Sequence, residues 1–357
     1  MYQTLRPKRI DRPAKSLPDK IKPIQIDWHE QYFPAKITFS DGKTSIGSCI
    51  RCFHPFCMEY SPKELELSVF QDFPADKNSD VCPTSAISWT HETLSPVINK
   101  EACILCGLCV SRCQTRAIYL DNDGAYVNDE PNAHFILQNT PSDSETTATI
   151  TRLFQKVPEK GIYLFESDIL MKKVREKFEG VAHTQSAQFP NHLARNLLIA
   201  VGIGAAMRRR GDTNIRMDLV LGPPGVKHGT GEVELGAEVL DAPRNILDNV
   251  AILVARYELS KDNIIPFVVS LDLPNLRSEY WQFIKDVKDV LDVKINSITI
   301  GALIVLTWSR AKILIGTGEE FYIDIDSPSL RPRIEKILGR TLNIKDAGYP
   351  GFLESSK

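Results

Sequence analysis

The stretch Cys103-Ile104-Leu105-Cys106-Gly107-Leu108-Cys109-Val110-Ser111-Arg112-Cys113 decides how the first part of this 357-residue chain is read. Thiolates spaced in this way on a curling loop can reach three corners of an iron–sulfur cubane, and the fourth corner is left to a thiolate from elsewhere. The other four cysteines repeat the arrangement loosely, as Cys49-x2-Cys52-x4-Cys57 and then Cys82 followed by Pro83. All eight cysteines fall in these two runs. Two other uses of cysteine compete. Structural zinc normally takes paired C-x2-C units rather than three cysteines in series. A disulfide framework belongs to small secreted domains, and this chain is neither small nor led by a signal-peptide pattern.

The two runs resemble the bacterial two-cluster ferredoxins. "CPTSAI" (Cys82 to Ile87) and "CQTRAIYL" (Cys113 to Leu120) each place a short apolar strand after a terminal cysteine, as in that family. The resemblance implies two [4Fe–4S] clusters, with the last cysteine of each run serving the other cluster. Carried over, one cluster takes Cys49, Cys52, Cys57 and Cys113, and the other takes Cys103, Cys106, Cys109 and Cys82. The departures are an enlarged loop over His54 to Phe56, 24 residues between Cys57 and Cys82, and Gln114 in place of the usual proline.

With 357 residues the chain has room for two or three domains, and 43% hydrophobic and 25% charged residues describe an ordinary globular composition. No apolar run reaches the roughly 18 residues of a membrane-spanning helix, so no membrane partner is expected. A net charge of −2 argues against a generally basic nucleic-acid coat, although local patches can still bind phosphate. Thiolates kept reduced to hold metal point to the cytoplasm. Residues 1–44 read as a basic N-terminal extension, in which Arg6, Lys8, Arg9, Arg12, Lys15, Lys20 and Lys22 could track phosphates or form a solvated arm. Residues 45–137 read as the ferredoxin-like, α+β two-cluster domain, closing on "AIYLDNDGAYVN" with Asn122-Asp123-Gly124 as a hairpin turn. Residues 138–149 read as a Ser/Thr-rich linker, and 150–357 as an α/β domain with a mixed sheet.

Within that last domain the period-3.6 pattern predicts a helix over 190–210, with Leu193, Leu197, Val201 and Ala205 on one face. Strands are expected at Asn214–Gly222, Glu232–Leu240 and Ile264–Asp272, where Pro266 implies an edge left unpaired. Asp241 is expected to cap a helix with Pro243 in its first turn and Ile246, Val250, Leu253 and Tyr257 in its stripe. A further helix over Ser278–Leu291 would turn Tyr280, Ile284, Val287 and Leu291 inward. "INSITIGALIVLTW" and "AKILIGTGEEFYIDID" read as strands.

The order helix, strand with Asp218, strand with Glu232-Val233-Glu234, helix, strand resembles the PD-(D/E)XK nuclease superfamily over about 190–272. "RMD" before a Gly-rich loop and then "GEVE" carry the resemblance. It implies a restriction-endonuclease-like fold, DNA as partner, and Mg²⁺ or Mn²⁺ held by Asp218 and Glu232, with Asp218, Glu232 and Glu234 catalytic. Residues i and i+2 of a strand face one way, so Glu232 and Glu234 project together. Glu234 stands where the family has lysine, and the preceding helix lacks the glutamate of many members. The same three acids can also be read as ordinary solvent-facing strand positions.

Other signals are weaker. Arg208-Arg209-Arg210 is expected to end a helix, where cations complement the dipole, or to contact phosphates. Arg244, Asn245 and Asp248, and the loop residues Lys227 and His228, could orient substrate or merely be solvated. "GPPGVKHGTG" lacks the Gly-Lys-Ser/Thr of a P-loop, and Gly202-x-Gly204 lacks the setting of a dinucleotide fingerprint. The functional expectation is an iron–sulfur, divalent-metal-dependent DNA nuclease. An electron-transfer subunit with a redox partner protein is the alternative, and a homodimer is a further option.

Overall fold

The computed structural model describes residues 37–38, 45–46, 49, 55–90, 95–113, 117–121, 124–127, 166–212, 216–222, 227–313, 318–323, 325–326, 328–345 and 351–356. The basic N-terminal segment 1–24 and the linker 138–149 lie outside the described residues. The chain divides into two compact units. The first takes Met1–Pro62, Ser79–Leu164 and Trp308–Arg310, and the second takes Lys63–Asn78, Phe165–Thr307 and Ala311–Lys357.

The first unit is built from short antiparallel pairs. Strands β1 (Ile37–Thr38) and β2 (Ser45–Ile46) pair, as do β3 (Ile87–Thr90) and β4 (Ser95–Ile98). Helix α1 (Leu108–Arg112) follows the cysteine loop. Strands β5 (Ile118–Asp121) and β6 (Gly124–Val127) pair with Asp121 opposite Gly124, and Asn122 and Asp123 of the expected turn lie outside the described residues. Alternation along β5 buries Ile118 and Leu120, while Tyr119 on the other face stacks on Tyr126 at 5.5 Å.

The wide gap between Cys57 and Cys82 has a structural cause. Met58 accepts a bond from Val81 N–H and Tyr60 N–H donates to Ser79 O, both at 2.8 Å, so the gap is closed at its neck. The intervening Lys63–Asn78 belongs to the second unit. There Phe70 and Phe73 join Met217, Val220, Val250, Leu253 and Ile264 in one apolar cluster. Each buried phenylalanine contributes about 2–3 kcal/mol.

The second unit is organised by a five-stranded mixed sheet ordered β11-β10-β9-β8-β7. Strands β7 (Gly204–Met207), β8 (Leu219–Gly222) and β9 (His228–Glu234) form an antiparallel meander. Strands β10 (Ile264–Ser270) and β11 (Asn296–Thr299) then add in parallel to β9. Helices α2 (Asp168–Ala182) and α3 (Phe189–Ala200) precede the sheet, and α4 (Ala242–Tyr257) and α5 (Glu279–Leu291) form the parallel crossovers. All seven residues of β10 are buried, as expected of a strand between parallel neighbours.

Several expectations need correction. The helix expected over 190–210 ends at Ala200. Gly202, at φ 95°, adopts the left-handed conformation, with Gly202 N–H bonded to Ile199 O and Ile203 N–H to Leu198 O. This is a Schellman stop, so Ala205 lies in a strand, and Arg208-Arg209-Arg210 follow that strand rather than ending a helix. Strand β9 begins at His228, earlier than expected, and Ala237–Leu240 forms a 3₁₀ turn. The glycines at its start are poor strand formers and hid its beginning. Only Asn296–Thr299 of the long apolar stretch is a strand, and Ile300–Trp308 is helix α6. Thr299 starts that helix by accepting the Ala302 N–H on its hydroxyl at 3.2 Å. Among the described residues of "AKILIGTGEEFYIDID" only an isolated bridge from Tyr322 to Asn296 forms. Leu291, expected inward, is 46% exposed, while Tyr280, Ile284 and Val287 are buried. Asp241 precedes α4 but makes no side-chain cap, because its carboxylate takes Arg244 at 3.0 Å. Pro266 stands in an interior strand, yet β11 pairs only from Phe267 onward, so the edge facing Pro266 is unpaired there.

Helix α7 (Arg331–Leu338) leads to an ion pair that anchors the second unit's C-terminal part. The buried Glu166 carboxylate accepts Arg340 Nη1 at 2.5 Å, Arg340 Nη2 at 2.8 Å and Asn343 N–H at 3.0 Å. Burial alone would raise its pKa, but the Arg340 fork and the backbone donors outweigh it and hold the group below its ordinary 4.5. Its contribution is therefore complete above that value and is lost as pH falls through the lowered folded value. Glu166→Ala is expected to cost about 3 kcal/mol in urea unfolding at pH 7, with the deficit shrinking on acidification below pH 4. A deficit unchanged between pH 7 and pH 3 would contradict this account.

Candidate functional site

Cys82, Cys103, Cys106 and Cys109 line one cavity of the first unit, together with Ile87, Ile98, Ile104, Leu108, Leu120 and Ala125. The loop reverses sharply to do this. Leu105 and Gly107 have φ of 63° and 78°, and Leu108 then starts α1. Cys82 reaches the same cavity from the start of the β3 hairpin, where its sulfur accepts Ala86 N–H at 3.2 Å. Burial pushes the Cys106 thiol far up, and the neighbouring Cys82 and Cys103 add to the shift. Cys109 is raised by burial and then by Cys103, Cys106, Cys82 and Cys57. Thiols this crowded cannot all ionise by themselves, and a core of iron cations would supply the missing positive charge. The all-sulfur donor set and apolar walls fit such a cluster.

Of the other run, Cys49 and Cys57 are buried, Cys113 is half-buried, and Cys52 lies outside the described residues. All seven described cysteines are free of disulfides. Arg112, which sequence reasoning passed over, ties this region together. Its Nε donates to Phe56 O at 2.7 Å, its Nη2 to Glu59 O at 3.2 Å, and its guanidinium lies 4.1 Å from the Tyr60 ring centre. The turn carrying Cys109 and Cys113 is thereby bonded to the segment carrying Cys57.

In the second unit, Asp218 stands at the head of β8, and Glu232 and Glu234 lie on β9. Asp218 Oδ2 accepts Val233 N–H at 3.2 Å, and Oδ1 accepts Asn191 Nδ2 from α3 at 3.1 Å. Arg208 Nη2 lies 3.7 Å from the same Oδ1. Glu232 Oε2 accepts Asn249 Nδ2 from α4 at 3.0 Å. Burial and then the charges of Asp218 and Glu234, against the bonds from Asn249 and Asn245, push Glu232 up to about 8. Burial likewise raises Asp218. Glu232 is only 9% exposed, so the reading of these acids as solvent-facing is corrected for it. Among the described residues no three His, Cys, Asp or Glu side chains converge as ligands of a single ion. A cubane spreads its thiolates over separate irons, and Mg²⁺ commonly takes one or two carboxylates plus water and substrate phosphate.

Of the other expected site residues, Asn245 acts on Glu232 through a side-chain hydrogen bond, while Arg244, His228 and Lys227 have their contacts elsewhere. Arg244 bonds to Asp241 at 3.0 Å and lies 3.6 Å from Glu279. His228 sits at the opposite end of β9, edge-on to Phe70 at 5.9 Å. Lys227 lines a different pocket with Lys261, Lys294 and Glu319. Asn191 and Asn249 escaped sequence reasoning, and Arg208, read there as a helix-ending or phosphate-contacting cation, stands beside Asp218 instead. The one available signal was Asn249, a polar residue inside the apolar stripe of α4.

Residues 96–119, spanning the Cys103–Cys113 run, match a sequence family described as "4Fe-4S binding domain". No curated protein and no solved structure matches. The chain therefore carries an iron–sulfur domain. Among the described residues no helix is long and apolar enough to cross a membrane.

Cys106→Ser removes a central sulfur of the cavity. It is expected to abolish the visible iron–sulfur absorbance of the anaerobically purified protein and to lower the melting temperature of the first unit, because metal binding there is coupled to folding. Loss of the absorbance with an unchanged melting profile would show that the metal is not structural.

Proposed function

We propose that the chain is an iron–sulfur nuclease, in which the second unit hydrolyses DNA phosphodiesters with a divalent ion and the first carries two [4Fe–4S] clusters. The observation that supports the nuclease reading is the placing of Asp218 at the head of β8 and of Glu232 and Glu234 on the neighbouring β9, without the three converging on one ion among the described residues. The chain order there is α3, β7, β8, β9, α4, β10, the expected helix, two acid-bearing strands, helix and strand with β7 added before β8. Burial raises the pKa of both Asp218 and Glu232 there, with Arg208 3.7 Å from Asp218, and carboxylates perturbed in this way are candidates for a functional site.

Asp218 and Glu232 would hold Mg²⁺ or Mn²⁺ through hard oxygen donors. When bound, the ion supplies charge neutralisation at phosphate and a more acidic water. Glu234, on the same face of β9 as Glu232 and in the family's lysine position, would position the attacking water or help to hold a second ion. Asn191 and Asn249 orient the two carboxylates by their amide donors. Double-stranded DNA is the proposed substrate. In the first unit, Cys82, Cys103, Cys106 and Cys109 would hold one cluster, and Cys49, Cys52, Cys57 and Cys113 the other.

The electron-transfer alternative is favoured by one observation, the four thiols around a single apolar cavity, and both readings expect about eight irons and eight sulfides per chain. Cleavage of plasmid and linear DNA separates them. Wild-type protein with Mg²⁺ or Mn²⁺ is expected to cut, EDTA to stop it, and Asp218→Ala and Glu232→Ala to lower the rate by at least about 100-fold without unfolding. Asn249→Ala is expected to lose roughly 10- to 100-fold, the usual effect of removing an orienting partner of a metal ligand. Wild-type protein inert with its clusters both oxidised and reduced would favour the electron-transfer subunit, with a redox protein as partner.

A further inference from the structure

Trp308 belongs to the first unit although 203 residues separate it from the cysteine loop that it touches. It is fully buried, and its indole Nε1 donates to the Leu105 carbonyl oxygen at 2.8 Å. Leu105 is also fully buried and has a left-handed φ of 63°. For a residue with a side chain that conformation is unfavourable, and it persists only where the surroundings impose it. Gly107 is left-handed as well, at φ 78°, and a Cβ there would lie 2.9 Å from Trp308 Cδ1. The indole thus fills the space beside this glycine and holds the carbonyl two residues before it.

The bond has a consequence on the far side of the peptide. In a trans peptide the carbonyl and the following N–H point in opposite directions, so fixing Leu105 O fixes the direction of Cys106 N–H. The backbone N–H groups of Leu108 and Cys106 favour the ionised form of the Cys106 sulfur, against its burial. Cys106 lies at negative φ between the left-handed Leu105 and Gly107. Such alternation turns successive N–H groups into one concavity suited to a negative charge. Hydrogen bonds to the sulfurs and exclusion of solvent both set the potential of an iron–sulfur cluster.

We propose that Trp308 is a positioning residue for the [4Fe–4S] centre, whose indole N–H holds the Leu105 carbonyl away so that the Cys106 and Leu108 N–H groups stay on cluster sulfur. It thereby raises the reduction potential of that centre and slows its loss. The inference rests on the reading that Cys82, Cys103, Cys106 and Cys109 hold a cluster. Trp308→Phe keeps an aromatic ring and removes only the donor.

In full-length, anaerobically purified protein, Trp308→Phe is expected to shift the midpoint potential, followed by electron paramagnetic resonance, to more negative values. Iron release to a chelator should quicken roughly two- to tenfold, the equivalent of one net hydrogen bond. Adding Leu105→Gly to Trp308→Phe should recover part of the slow release, since glycine adopts the left-handed conformation at little cost. If Trp308→Phe alone fails to load, this double variant supplies the measurement, and a double variant that also fails to load would overturn the proposal. A loaded Trp308→Phe protein with wild-type potential and wild-type release rate would overturn it too. Wild-type protein without a cluster would instead refute the reading of the cysteines on which it rests.

Discussion

Acidic groups crowded where water cannot screen their charge are the constraint that both units share. In the first, the buried Cys106 and the half-buried Cys109 lie close to other thiols, and every neighbour that ionises makes the next ionisation harder. In the second, Glu232 is buried beside Asp218 and Glu234, and its carboxyl is pushed to about 8. A group raised in this way lowers stability as pH climbs from its ordinary value toward the shifted one, because the unfolded chain ionises it freely. The fold tolerates that cost at both places. Thiolates select iron, and carboxylates select a hard divalent ion.

What holds such groups in place is backbone geometry more than side-chain packing. The Asp218 carboxylate is fixed by a main-chain donor, Val233 N–H, on the adjacent strand. It therefore sits beside Glu232 and Glu234 for as long as β8 and β9 stay paired. The cysteine loop likewise bends at Leu105 and Gly107, both in the left-handed conformation. Rigid main chain places the charges, and side-chain amides such as Asn191 and Asn249 then set the direction in which the carboxylates point.

The parts legible in the sequence are those whose signal is local. The cysteine spacing is set by the few residues of one loop. The stripe Ile246, Val250 and Leu253 repeats with the helical period and is buried as read. The pair Glu232 and Glu234 needed only the two-residue period of a strand. The illegible parts were decided over distance or lacked a period. Ile300–Trp308 is apolar on all sides, so nothing in it distinguishes a buried helix from a buried strand except the capping Thr299. Ala205 and Ala206 favour a helix locally, yet pairing with β8 makes them a strand once Gly202 has ended α3. Arg208, Asn191 and Trp308 meet their partners only because the chain returns to them. Such contacts leave no mark in a spacing.

The 24 residues between Cys57 and Cys82 show how a departure from a sequence pattern can preserve its geometry. Read as a loop, the gap would separate two thiols and loosen the site. The backbone bonds joining Met58 to Val81 and Tyr60 to Ser79 close it at its base, so the cysteines flanking it are held as a short connection would hold them. The entropic cost of closing a loop grows only slowly with its length, and here Phe70 and Phe73 gain a buried environment within the excursion. The inserted segment thus carries apolar residues that the second unit's core uses, while the register of the cysteine runs stays intact. Lys63–Asn78 is therefore no disposable insertion. Removing it would spare the neck hydrogen bonds but strip two phenylalanines from a core that also contains Met217 and Val220, the residues on either side of the Asp218–Leu219 step into β8.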